Sequence, residues 1–324
     1  HRSERYLAAH PLGIILRTAM RDSGFPKLEL NNGEIRVSIY LPDPVRGYYR
    51  GARFDWSGII EHVDTARHRF YAPVHATHDP QRHDCVSGPA EEFAMFDPMG
   101  FDEAGPGDSF VKIGVGLLRK GDDNEYRFNG DYEIMRVGEW DIERGPDRVD
   151  FFQELVGERG WAYRYRKSVR LVSDAPELVI AHRLEKSGTK DIDIDNYNHN
   201  FTLIDALPYG ADYRVEFPFT TTIPTRISAR AWFRDNAIEV PEPLGNSSLW
   251  IPLFEGEGRV DYNRATIRHL PSGAAVAFTG DAPVTRIVFW AIERAACPET
   301  FMRQRLAPGQ VREWSSRYHF SDVT

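Results

Sequence analysis

Two cysteines in 324 residues, Cys85 and Cys297, stand far apart and outside any CxxC pair, so neither a disulfide framework nor a cysteine-based zinc site is signalled. Long apolar runs are also missing. The most apolar early stretch, Leu12 to Met20, falls short of the roughly 20 residues of a membrane span and carries Arg17, so no membrane partner is expected. Positive charge is not in excess. Lysine and arginine number 40 against 48 aspartates and glutamates, a net charge of −8 that argues against a nucleic-acid binder. No repeat of fixed period and no low-complexity linker interrupts the chain, so one domain over 1–324 is expected. Nucleotide motifs fail too: Gly114-x-Gly116 followed by Gly121 has the wrong spacing for a dinucleotide fingerprint and sits in an apparent strand, Phe110 to Leu118. No GxSxG elbow, Walker A loop or HExxH helix occurs. The chain opens on His1 without the n-region, h-region and cleavage site of a leader, which reads as a fragment or a processed product, with bacterial cytoplasm or periplasm the expected compartment.

What the chain does contain is apolar residues at 41%, aromatics at 12%, and glycines and prolines at 26 and 21, enough for a large core with many turns. Helical spacing is confined to Ser3–Met20, within an N-terminal extension of 1–24. Beyond it the period becomes two. Leu28 and Leu30, then Asn32-Gly33, then Ile35, Val37 and Ile39 read as a hairpin, because Asn-Gly accepts the positive φ of a tight turn. Trp161, Tyr163 and Tyr165 alternate with Ala162, Arg164 and Arg166 up to the Asp174-Ala175-Pro176 turn, and Leu178 to Leu184 returns as the partner. Further short segments follow to Trp314–Phe320 without helices between them, the pattern of an antiparallel β-sandwich or barrel.

The turn-rich stretch 73–108 reads as a long loop close to a site. Its His75, His78, His83 and Asp84 are candidate metal or substrate contacts, although an HxxH on a loop lacks the helical geometry that aims two rings at one ion. Two other places put polar groups where a strand should be apolar: Asn196-Tyr197-Asn198-His199-Asn200-Phe201, and the run Ile287 to Ile292 that ends in Glu293-Arg294.

Asn198-His199-Asn200-Phe201 resembles the Asn-His-x-Tyr-Phe signature of the aldose 1-epimerases, the galactose mutarotase family. Phe289 to Thr300 resembles that family's Phe-Cys-Leu-Glu-Thr-Gln-x-x-Pro-Asp run, and Leu306-Ala307-Pro308-Gly309-Gln310 its Leu-x-Pro-Gly-Glu turn before a final strand. The resemblance covers the last 130 or so residues moderately and the rest thinly, and the family's Leu-His-Gly-Gly motif has no clean counterpart. It implies a large antiparallel β-supersandwich of galactose mutarotase type, a sugar substrate, no cofactor, and anomer interconversion with His199 as general acid and Glu293 as general base. Arg50-Gly51-Ala52-Arg53-Phe54 loosely resembles the family's Gly-Arg-x-Ala-Asn-Arg segment, which implies sugar contacts for Arg53 or Arg50. Ser87 to Phe93, with His83 just upstream, stands where Leu-His-Gly-Gly would be, making His83 and Glu92 further candidates beside Asn198. Sugars stack their C–H faces on aromatic rings, and Trp56, Tyr209 and Trp250 are candidates for that role. A polysaccharide lyase or glycosidase on the same scaffold, and a sugar-binding protein without turnover, are the alternatives; a lyase would recruit Tyr197, His199, Arg50 and Arg53.

Overall fold

A computed structural model describes residues 24–219 and 230–322. The expected helical segment at Ser3–Met20 lies outside these. Among the described residues every regular element is a strand, and every pairing between strands is antiparallel. The Asn32-Gly33 hairpin is present: Lys27–Asn31 pairs with Arg36–Tyr40, Gly33 takes φ 92°, and the Asn32 carboxamide accepts from the backbone N–H groups of Glu34 and Ile35. The second expected hairpin also forms, Ala162–Leu171 against Glu177–Lys186, with Asp174 at φ 55° in its turn.

Two sheets make the sandwich. The larger has ten strands, with Ala162–Leu171, Glu177–Lys186 and Val311–Asp322 near its middle. The smaller has five, in the order Leu249–Arg259, Val284–Ile292, Ala295–Leu306, Ile192–Phe201 and Gly88–Phe93. Strict alternation in the larger sheet sends Tyr163, Tyr165, Val169 and Leu171 inward and leaves Arg164 and Arg170 in water. These inward residues meet Ile194, Ile287, Phe289 and Met302 of the smaller sheet in one core cluster.

Two expectations are corrected. The stretch 73–108 is not all loop, because Gly88–Phe93 is an edge strand of the smaller sheet and is buried along its whole length, lying against the Ile59–Asp64 strand. Phe110 to Leu118 is not one strand but a hairpin, Ser109–Lys112 with Gly116–Arg119, turning at Gly114 with φ 79°.

Candidate functional site

The two central strands of the smaller sheet carry the site. Ile192–Phe201 and Ala295–Leu306 pair regularly up to Asn196↔Met302, and a bridge at Thr202↔Ala296 resumes the same register. Between these points the ladder is interrupted. Pro298 has no N–H to donate, and its carbonyl accepts instead from the Asn200 side chain at 2.8 Å. In that register His199 stands directly opposite Glu299, midway along the interruption, and the His199 Nε2 lies 3.0 Å from the Glu299 Oε1.

Side-chain alternation then sorts the sheet into two polar faces. Tyr197, His199 and Phe201 share one face with Glu92, Glu299, Arg286 and Trp290. Asn196, Asn198 and Asn200 point the other way, toward the larger sheet, where Asn196 hydrogen-bonds Glu91 and Asn200 accepts from Tyr318. This two-sided demand explains why a strand reading Asn-Tyr-Asn-His-Asn is buried throughout.

On the first face is a cavity of about 470 Å³. His199 forms part of its floor, stacked on Phe201 at 3.8 Å between ring centres, edge-on to Trp290 at 5.2 Å, and with a buried Nδ1 that has no hydrogen-bond partner among the described residues. Arg53 forms one wall. Its guanidinium is sandwiched between Phe54 and Phe128, donates from Nε to Glu92 at 2.7 Å and from a terminal nitrogen to Tyr197 at 2.9 Å, and approaches His83 Nδ1 at 3.4 Å. Phe96 and Trp250, exposed at 44% and 58%, stand at the cavity's edge as open aromatic surface.

Behind the wall is a buried charge cluster. Glu92 accepts from Arg53, Tyr197 and Lys112, the last at 3.4 Å. Burial pushes the Glu92 carboxyl up, but the Arg53 and Lys112 charges and the Tyr197 hydroxyl outweigh it and hold the group below its ordinary value. Asp195, buried near Glu92 and Lys112, goes the other way: burial and the Glu92 charge push it up to about 6 against the pull of Lys112. Burial also lowers His83, with Arg53 and Arg82 adding to the effect and Asp84 opposing it. Asp84 is held well below the usual carboxylate range, because hydrogen bonding to His75 and the nearby His83, His75 and Arg82 charges overcome its burial.

The candidate residues fall into three groups. Arg53, His83, His199 and Trp250 line the cavity together. Arg50 and His83 line an adjoining cavity of about 460 Å³, and Glu92 touches Arg53 rather than the open space. The others are corrected. Trp56 is core, 2% exposed, with its indole N–H donated to the Gly51 carbonyl, and Tyr209 is fully buried away from the cavity. Asn198 is on the inter-sheet face of its strand. Glu293 sits in the turn between Val284–Ile292 and Ala295–Leu306 and is not among the cavity residues; an apolar run that ends at a hairpin leaves its last carboxylate at the sheet margin. Glu299 occupies the position opposite His199 instead. The signal was present in the resembled run itself, since Cys297-x-Glu299-Thr300 reproduces its Cys-Leu-Glu-Thr six positions beyond the Glu293 alignment. Arg286, Phe96 and Phe128 carried no sequence signal, because each is brought to the cavity by a segment far from the histidine.

The three loop histidines do not converge. His75 faces Asp84 at 2.9 Å, His78 stacks on Tyr48 and meets Cys85 Sγ at 3.3 Å, and His83 faces Arg53. Among the described residues no group of three or more His, Cys, Asp or Glu is arranged to hold a metal ion.

No protein-family model matches the chain, and no curated protein is significantly similar to it in sequence. Solved structures are similar in fold. A galactose mutarotase-like protein of Clostridium acetobutylicum aligns over 93% of this chain and 96% of its own at TM-score 0.55 and 12% identity. An aldose epimerase homologue of C. elegans aligns over 92% and 99% at 0.51 and 12%, and a protein of Synechocystis sp. PCC 6803 over 92% and 96% at 0.57 and 13%. The chain therefore has the galactose mutarotase-like fold, an antiparallel β-sandwich shared nearly end to end at very low sequence identity.

Proposed function

We propose that the protein is an aldose 1-epimerase-like mutarotase in which His199 is the general acid and Glu299 the general base. The observation that carries this reading is the opposition of His199 and Glu299 at 3.0 Å on the floor of a cavity bounded by arginine and aromatic rings. Anomer exchange moves two protons at oxygens bonded to the same carbon, so an acid and a base must act within one small volume. The Glu299 carboxylate takes the proton of the anomeric hydroxyl while the His199 imidazolium donates its Nε2 proton to the ring oxygen. The bond from C1 to the ring oxygen breaks, leaving an open-chain aldehyde and a hydroxyl. Rotation about C1–C2 turns the other aldehyde face to that hydroxyl. Closure returns one proton to His199 and takes the other from Glu299, so the enzyme ends as it began.

Arg53, fixed between two rings and tied to Glu92 and Tyr197, serves as a rigid donor beside the sugar hydroxyls. Tyr197 is fully buried with its hydroxyl donated to Glu92, which speaks against its use as a lyase base.

The test is anomer relaxation of freshly dissolved aldoses followed by NMR. Glu299→Gln and His199→Ala are each expected to lose about 10²–10⁴-fold in rate, while Glu293→Gln retains activity. Full activity in either of the first two variants overturns the assigned roles. Binding without relaxation for any sugar would turn the reading toward a sugar-binding protein.

A further inference from the structure

Charge pairing inside the cavity is complete except at one residue. Arg53 is matched by Glu92 at 2.7 Å, Asp84 by Arg82 and His75 at 2.9 Å each, and Glu299 by His199 at 3.0 Å. The Arg286 side chain, on the Val284–Ile292 strand, forms no hydrogen bond or ion pair with any described residue. Its cross-strand neighbour Glu255 is exposed and does not pair with it. The guanidinium rests on aromatic surface instead, 5.2 Å from the centre of Phe301, 5.3 Å from Phe96 and 6.0 Å from Trp250. A half-buried guanidinium held by ring faces keeps its planar fork of N–H donors available, the geometry that a carboxylate or phosphate accepts in bidentate fashion.

Its position relative to the acid–base pair is defined by the same sheet face. Phe301, beneath Arg286, stacks on Tyr197 at 4.1 Å, and the Tyr197 ring is 6.0 Å from that of His199. Two rings thus separate the unpaired cation from the histidine. Arg286 and the His199–Glu299 pair line the same cavity, with Trp250 and Phe96 offering stacking surface at its edge, so a sugar with its anomeric carbon at the pair can present a substituent toward the cation.

We propose that the cavity takes an aldose bearing an anionic substituent, a carboxylate or a phosphate, which Arg286 holds. The anion site stands on the cavity alone; the orientation of the reducing end toward His199 and Glu299 rests on the mutarotase reading above.

Dissociation constants for D-glucose, D-glucuronate and D-glucose 6-phosphate, measured by calorimetry on the whole chain, test this. At least one anion is expected to bind about tenfold or more tightly than glucose, and the better of the two names the anionic group. Arg286→Ala should reduce that preference to within about twofold, and Arg286→Lys should restore part of it through charge alone. A preference that survives Arg286→Ala, equal binding of neutral and anionic sugars, or failure of both anions to bind overturns the proposal. Following anomer relaxation of the same three sugars by NMR in the unaltered protein separates the two readings. Anion preference without anomer relaxation sinks only the mutarotase, whereas relaxation of neutral sugars without anion preference sinks only the anion site.

Discussion

Asp195 is a described carboxylate near the site whose burial is only partly compensated: its Oδ2 has no hydrogen-bond partner, and its value of about 6 lies above the 3.8 of an unfolded aspartate. Between these two values the folded chain holds a proton that the unfolded chain has released, so stability falls as pH rises through the window and the penalty is complete above it. Asp195→Asn is therefore expected to stabilise the protein at pH ~8 by about 1–3 kcal/mol and to give no gain near pH ~3.5. Denaturation midpoints at the two pH values check this, and equal gains at both would refute the assignment. Glu92 is the opposite case. It is matched by Arg53 and Lys112, so Glu92→Gln leaves two buried cations underneutralised and should cost about 3–5 kcal/mol in a urea melt.

At the scale of the element, Gly88–Phe93 shows why part of the site was hidden from the sequence. Gly88, Pro89, Glu91 and Glu92 are residues that strand propensity disfavours, and nothing local says that they are buried. The strand exists because distant segments supply partners, Arg53, Tyr197 and Lys112 for Glu92 and His182 with Asn196 for Glu91. Pro89 is tolerated because the strand is at a sheet edge. Gly88 begins it at φ 64°, where an added Cβ would stand 2.7 Å from the Ile60 carbonyl oxygen. Gly88→Ala should cost about 1–3 kcal/mol and, on the proposed mutarotase function, lower the rate of anomer exchange by displacing Glu92 and Arg53, readable as a joint loss in melting temperature and activity. The hairpins at Asn32-Gly33 and Asp174, by contrast, were legible because alternation and turn chemistry are local properties. His199 was legible as a polar group in an apolar strand. Glu299 carried a signal only in the Cys297-x-Glu299-Thr300 match, and its local pattern was silent, since proline precedes it and its meaning comes from a partner on another strand.

Across the whole molecule, the two sheets are joined by charge as well as by apolar packing. Asp55, bonded to Ser57, meets Lys167 at 3.3 Å and Tyr165 at 3.0 Å; Tyr165 meets His182 at 2.9 Å, and His182 meets Glu91 at 3.2 Å. This chain runs from the larger sheet to the back of the strand that carries Glu92. Lys167→Met breaks it at a fully buried pair and should destabilise the protein by about 3–5 kcal/mol, with one cooperative transition lost earlier rather than two separate ones. Separate melting of the sheets would contradict the coupling.

The register that sets His199 against Glu299 has a consequence for how such a chain can vary in length. Loops between Thr202 and Ala296 can change length without moving either side chain, because the bridge that joins these two residues fixes the pairing, whereas the strands Leu249–Arg259 and Val284–Ile292 must keep their register to bring Trp250, Arg286 and Trp290 to the cavity. One residue deleted within Ala295–Pro298 does the reverse. It turns Glu299 to the inter-sheet face and brings a neighbour into the cavity. Descendants of this sequence are thus free to grow or shrink in the loops of the long excursion between the two strands, while the few residues just ahead of the glutamate must keep their number.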